Sequence, residues 1–301
     1  MVPEMEESVN ILFGNIRGII PLSRNKTKLN YLTDICQVHS NDILILTESH
    51  LSEKVKDCEI KINDYDIHRC DRNGRSHGGV LVYTRSKLKA TNILEYNSNQ
   101  CEMIIVWVKS LKTLIVNIYR PPNSGDPESF YQCLEAAQEQ INKFGKTCEQ
   151  YIVCGDFNFP HIEWPYGNLP NRDTTRDKEK KQATLLLDFM DINSFSNIIT
   201  SPTRQRNIID LMMVNNSDRF NVSDTIVNKV ISDHNIMSID MKAKYNMNQS
   251  YVKCNPYINS IFEYDIEIGD DSDEWSQFYN DILDEAMSWD NIADDDPNSQ
   301  I

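Results

Sequence analysis

No stretch of this chain comes near the roughly 20 apolar residues that a helix needs to cross a bilayer. Hydrophobic residues nevertheless make up 40% of its 301 positions, enough for a sizeable core. Residues 1–10 are acidic and polar, without the basic start and apolar centre of a secretory signal. None of the eight cysteines (Cys36, Cys58, Cys70, Cys101, Cys133, Cys148, Cys154 and Cys254) belongs to a Cys-x-x-Cys pair. Scattered thiols in a chain with no export signal read as reduced core residues, not as disulfides or zinc ligands. A soluble, intracellular protein with no membrane partner is the expectation. There is no internal repeat and no clear basic run of the nuclear-localisation kind. The glycines at 78–79 have no Gly-x-Gly-x-x-Gly pattern around them, so tight backbone packing is their reading, not phosphate cradling.

Charge is unevenly spread. The net charge of −15 looks hostile to nucleic acid, but residues 246–301 hold 14 Asp/Glu and one Lys. That leaves 31 of the 45 acids and 29 of the 30 bases in residues 1–245, a near-neutral body. A protein that binds a polyanion need not be basic overall if its basic side chains share one face. The same split marks a boundary near Tyr245, between a domain of residues 1–245 and an acidic, linker-like tail of residues 246–301. Aromatic residues within the tail (Trp275, Phe278, Tyr279, Trp289) allow a short helix around Glu274–Ser288, in a composition that otherwise reads as poorly ordered.

Before that boundary, apolar runs alternate with helical segments. Strands are expected at Val9–Gly14, Ile43–Thr47, Gly79–Tyr83, Met103–Val108, Thr113–Tyr119, Tyr151–Cys154, Ile208–Val214 and near Ile236–Met241. Helices are expected at Lys26–His39, Glu128–Phe144 and Lys178–Met190. Many strands with a few interspersed helices point to an α/β layered fold.

Polar residues interrupt the strand ends. Asn15 follows Ile11–Gly14, Glu48 follows Ile43–Thr47, and Tyr119 closes Leu114–Ile118 before Pro121-Pro122. Asp210 sits inside Ile208–Met212, where an unpaired charge would be costly. Gly155-Asp156-Phe157-Asn158 follows the apolar run Tyr151–Cys154, and strand alternation sends Asp156 and Asn158 one way and Phe157 the other. Ser232-Asp233-His234 adds a carboxylate and the side chain best suited to proton transfer near neutral pH. Taken singly, Asn15 reads as a turn residue, Glu48 as a cap, Tyr119 as a sheet tyrosine and Asp210 as a satisfied core acid. In a layered sandwich, strand ends from two sheets converge at one edge and would gather these residues into one cluster. Carboxylates and amides with few thiols suit a hard cation, Mg²⁺ or Mn²⁺.

The order Asn15, Thr47-Glu48, Tyr119-Arg120-Pro121-Pro122, Gly155-Asp156-Phe157-Asn158, Asp210 and Ser232-Asp233-His234 resembles the endonuclease/exonuclease/phosphatase superfamily over residues 9–242. Asn15-Ile16-Arg17, Arg69–Arg72 leading to Gly78-Gly79-Val80, and Gly155 through Pro160 to Trp164 are similar to the apurinic/apyrimidinic-like endonuclease domain of non-LTR retrotransposons. The resemblance implies a four-layer α/β sandwich: two packed, mostly antiparallel sheets flanked by helices. It also implies a Mg²⁺-dependent endonuclease (Mn²⁺ as a substitute) that nicks DNA and leaves a 3′-hydroxyl to prime reverse transcription. By the same resemblance Glu48, Asn15 and Asp233 would hold the metal and Asp156 would be the general base. Asn158, Tyr119 and His234, the last oriented by Asp210, would handle the phosphate. The family's asparagine three residues after the tyrosine is replaced here by Pro122. Thr203 and Arg204 are candidate DNA contacts, with a solvated loop as the alternative. The basic cluster Arg172–Lys181 reads as a solvated helix face that could steer DNA. Other readings are the same hydrolytic core acting on a lipid, an inositol phosphate or RNA, and a catalytically silent domesticated remnant that only binds. The resemblance further implies a DNA substrate, a nuclear site of action, and an RNA or reverse transcriptase module within a longer parent element. The domain itself is expected to be monomeric.

Overall fold

Alternate residues of β1 (Glu6–Asn15) enter different hydrophobic cores. Ile11 and Phe13 join one cluster and Leu12 another, as the two-residue period of a strand requires. The same happens in β8 (Gln150–Asp156), where Ile152 and Cys154 lie in the first cluster and Val153 in a third. Strands buried on both faces must be covered on both, and that requirement builds the layers. The computed structural model describes residues 6–19, 27–74, 77–98, 100–122, 126–164, 167, 177–226 and 231–244. The acidic tail, the short helix read within it and residues 172–176 of the basic cluster lie outside the described residues.

The remaining strands are β2 (Ile43–Thr47), β3 (Tyr65–Cys70), β4 (Val80–Arg85), β5 (Ala90–Asn97), β6 (Glu102–Val108), β7 (Thr113–Tyr119), β9 (Ser196–Asn197), β10 (Asp210–Val214), β11 (Phe220–Ile226) and β12 (Ile236–Lys244). The helices are α1 (Thr27–His39), α2 (Pro127–Phe144) and α3 (Asp177–Ile192). One sheet has the order β11-β12-β1-β2-β4-β3 and the other β5-β6-β7-β8-β10-β9. In each sheet one central pair is parallel, β1–β2 and β7–β8. A helix joins each pair, the crossover that parallel strands need. The other ladders among the described residues are antiparallel. The two orders correspond strand for strand: β1, β2, β4 and β3 take the places of β7, β8, β10 and β9. The sequence carries no trace of this repeat.

One core fills the space between the sheets. Leu29, Leu32, Ile35 and Cys36 of α1 pack on Leu12, Leu44, Leu46 and Leu81 of the first sheet. Phe130, Leu134 and Ile141 of α2 and Leu186 and Phe189 of α3 pack on Leu114, Val116 and Ile118 of the second. The result is the expected four-layer sandwich. Pro127 opens α2, and the Asp126 carboxylate accepts the N–H of Glu128, a standard helix start.

Four strands were not expected: β3, β5, β9 and β11. All four are sheet edges. An edge strand has one neighbour and one open side, so its apolar alternation weakens. In β5 and β11 the register also slips, between Asn92 and Leu94 and between Val222 and Asp224, which breaks the alternation outright.

Candidate active site

A row of polar residues crosses the second sheet at one end. Glu102 of β6 faces Tyr119 of β7, Tyr119 faces Asp156 of β8, and Asp156 faces Asp210 of β10. Asp156 continues the parity of Ile152 and Cys154, Tyr119 that of Ile115, and Asp210 that of Met212 and Val214, so these three belong to the side facing the other sheet. Phe157 turns the opposite way into the outer core, as alternation required. Gly155 has φ +139, and a Cβ there would stand 1.7 Å from the Ile118 carbonyl oxygen. Only glycine lets β8 approach β7 so closely before the carboxylate.

The first sheet supplies the opposite wall. Asn15 ends β1 and donates from Nδ2 to Asp156 Oδ2 at 2.8 Å. Glu48 follows β2, and its Oε1 accepts the Tyr119 hydroxyl at 2.9 Å. Glu48 and Asn158 both have φ +51, a left-handed conformation that side-chain-bearing residues rarely adopt. Such positions cost free energy and persist where the surroundings enforce them. Here they re-aim the two residues that follow the central strands.

His234 completes the cluster. Its Nδ1 lies 2.8 Å from Asp210 Oδ2, with both residues almost fully buried. The Ser232 hydroxyl accepts the N–H of His234 and fixes the turn that carries it. Burial opposes the imidazolium, but the hydrogen bond and charge of Asp210, with Asp156 nearby, outweigh it and raise the His234 pKa. Burial, reinforced by Asp210, pushes the Asp156 carboxyl well above its ordinary value. Glu48 goes the other way. Burial penalises its charge, yet His50, Asn15 and Tyr119 together hold it ionised, down to about 2. Asp156 and Glu48 therefore differ in their hold on a proton, and of the two Asp156 is the one suited to accept it.

Thr203 is a correction. Read as a DNA contact, it is fully buried, and its hydroxyl accepts the N–H groups of Ile209 and Asp210. It positions the start of the Asp210 strand. Arg204 is partly exposed and pairs with Asp233 at 2.7 Å. Arg17 pairs with the same carboxylate at 3.2 Å. Asp233 is thus bracketed by two guanidinium groups, and none of its described bonds goes to Glu48 or Asn15. Asn158 lies beside a pocket of about 370 Å³, which Arg204, His161 and Asn207 also line.

Four supporting residues received no role in the sequence reading, although Arg72 and Arg120 stood within its quoted motifs. His50 Nε2 lies 3.2 Å from Glu48 Oε2. Arg120 is buried with its guanidinium 4.0 Å over the Phe159 ring, and it donates to the carbonyls of Phe157 and Asn158. Burial lowers its pKa to about 10. Arg72 and Glu102 form a buried ion pair. The one signal available for Glu102 was a charged residue opening the apolar run Met103–Val108.

The donor set fits a hard divalent cation. It offers carboxylates and amides, and one ligand atom each from Asp156, Asp210 and His234 lies within 4.8 Å of the others. Asp210 Oδ1 is buried with no hydrogen-bond partner, a state that a cation or a water would relieve.

Two packed sheets with carboxylates, amides and an imidazole at one edge define a layered α/β domain with a candidate active site at that edge. The family described as endonuclease-reverse transcriptase matches residues 113–238, a span that includes Tyr119, Asp156, Asn158, Asp210 and His234 but not Asn15 or Glu48. The RNA-directed DNA polymerase from mobile element jockey of Drosophila funebris is 22% identical over 211 residues, covering 68% of this chain and 21% of that protein. The chain thus spans about a fifth of the length of this curated relative. Among solved structures, an AP endonuclease from Leishmania major superposes with a TM-score of 0.54 at 14% identity, over 78% of this chain and 88% of the other. A 3′ phosphatase from Neisseria, solved with a product DNA hairpin, gives 0.52 at 14% identity, over 77% and 99%. Residues 113–238 thus resemble the family described as endonuclease-reverse transcriptase, and the fold is the one shared with the AP endonuclease and the 3′ phosphatase.

Proposed function

We propose that residues 1–245 form a Mg²⁺-dependent endonuclease that nicks DNA, as a retrotransposon uses to open its target. The observation that carries the proposal is the Asp156 carboxylate, buried between the two sheets and flanked by Asn15, Asp210 and His234. Asp156 accepts the proton of the attacking water. Asn15 Nδ2 and the Asn158 N–H, at 2.8 and 3.0 Å, hold its two oxygens. His234, kept protonated by Asp210, donates to the scissile phosphate where negative charge builds. Asn158 and the Tyr119 hydroxyl orient the phosphate. Glu48, with Asn15 and Asp233, would hold the ion, and Mn²⁺ suits the same oxygen donors. A divalent ion held there would supply positive charge to offset that developing on the phosphate oxygens.

Arg17 and Arg204 stand at the rim, partly exposed, where a DNA backbone would meet them. The 22% relative is a reverse transcriptase of a mobile element, which supports such a module, and its RNA, in a longer parent protein. The substrate makes the nucleus the site of action. Supercoiled plasmid tests the reading: conversion to open circles is expected with Mg²⁺ and none with EDTA. Undiminished nicking in chelator would exclude the metal.

A further inference from the structure

Glu102 lies in the same polar row, facing Tyr119 across β6 and β7, and is fully buried. It would be one more negative charge near Glu48, Asp156 and Asp210 unless neutralised. Arg72 neutralises it with two bonds, Nε to Oε1 at 2.5 Å and Nη2 to Oε2 at 2.9 Å, a planar fork that lysine does not offer. The same guanidinium lies 5.3 Å from the centre of the Tyr119 ring, and the Tyr119 hydroxyl donates to Glu48. A cation over a ring face is attracted to it, which favours one orientation of the ring and so of its hydroxyl.

A second path reaches Glu48 through the backbone. Glu102 Oε2 accepts the Gly79 N–H at 3.2 Å. The carbonyls of Gly78 and Gly79 accept the N–H groups of His50 and Ser49 at 2.9 and 3.2 Å, the two residues that follow Glu48. Gly78 leaves the room: a Cβ there would stand 2.7 Å from Arg72 Cζ.

We propose that Arg72, braced by Glu102, is a positioning residue that sets the Glu48 carboxylate for cation binding, through the Tyr119 hydroxyl and through the Gly78–Gly79 backbone. The proposal rests on the reading of Glu48 as a metal ligand. A buried ion pair kept for stability alone can often be exchanged for neutral residues at little cost. One that orients a ligand cannot.

Mn²⁺ binding to the full chain, read by electron paramagnetic resonance, tests it. Arg72→Met combined with Glu102→Gln removes both charges together and leaves no lone charge buried. This double variant is expected to stay folded and to lose about 10–100-fold in Mn²⁺ affinity, as when a group orienting a metal ligand is removed. In a Tyr119→Phe background the same two substitutions are expected to cost less, because one path is already cut. An equal loss in that background overturns the Tyr119 path. Wild-type affinity in the folded double variant overturns the proposal and leaves the metal site standing. No Mn²⁺ binding by the wild-type protein overturns the metal reading itself, and this proposal with it. If the double variant melts far below wild type, Arg72→Lys replaces it. It keeps a cation for Glu102 but not the flat fork, and it too is expected to bind Mn²⁺ more weakly. Unchanged affinity in that variant overturns the proposal.

Discussion

Asn15 and Asp156 are 141 residues apart in the chain and meet at 2.8 Å, one from the end of each sheet's central strand pair. The bond joins the two halves of the sandwich at the point where the chemistry is placed. It also holds a buried carboxylate whose proton affinity is raised by burial and by Asp210.

Replacing Asp156 by Asn tests that carboxylate twice. An amide cannot take a proton from water, so nicking is expected to fall by about 10²–10⁴-fold. The second effect concerns stability. A carboxyl whose pKa is raised in the fold is ionised earlier in the unfolded chain, so wild type loses stability as pH rises from the ordinary carboxylate value to the raised one. The Asn variant has no such loss. Its melting temperature relative to wild type is expected to climb between acidic and neutral pH, and near wild-type nicking would remove Asp156 from the role of base.

The His234–Asp210 pair predicts a second pH dependence, read by NMR of the imidazole in chelator. The His234 pKa is raised above 6.5, chiefly against burial by its bond to Asp210. Its stabilising contribution is full below the ordinary histidine value and is lost as pH rises through the raised one. Asp210→Asn removes the largest cause that raises it, so the pKa is expected to drop, with Asp156 left to oppose burial. An unmoved titration would mean that Asp210 is not what holds the proton.

Gly155 tolerates no side chain. Alanine would set Cβ within 1.7 Å of the Ile118 carbonyl oxygen, at a φ of +139 that L-residues avoid. Overpacking and backbone strain together are expected to cost on the order of 3 kcal/mol or more. Urea unfolding of Gly155→Ala measures it, and a wild-type midpoint would show that the β7–β8 approach relaxes freely.

The tail is predicted to oppose DNA binding. Residues 246–301 carry 14 acids and one lysine, which repel a polyanion most strongly at low salt. A protein of residues 1–245 is expected to nick plasmid at least as fast as the full chain, with the advantage shrinking as salt is added. Thermal melts of the two proteins check the boundary at Tyr245, since a truncated chain melting far lower would place the tail within the fold.

The central strands were readable because each is an unbroken apolar run, and Ile43–Thr47 and Thr113–Tyr119 match the structure residue for residue. The edges β3, β5, β9 and β11 were not, because half-exposed strands with bulges carry no clean alternation. Asn15, Glu48, Tyr119 and Asp156 stood out as polar groups at the ends of apolar runs and Asp210 as one inside such a run, where burial makes an unexplained polar residue conspicuous. Thr203 could not be placed the same way. A threonine that contacts a ligand and one that accepts two backbone N–H groups look identical in a sequence.

The sequence by itself determined the layered class of the fold, the apolar faces that each strand and helix must bury, and the polar residues that interrupt its apolar runs. These follow from local periodicity and from the cost of burying polar groups. Tertiary structure alone decided which residues touch. It paired Asp210 with His234, gave Asp233 to Arg17 and Arg204, and set Glu102 and Arg72 behind Tyr119. Each of these contacts spans at least 24 positions in the chain. Register between strands, not spacing along the chain, brings such groups within hydrogen-bonding distance, and register is fixed only when the two sheets close on their shared core.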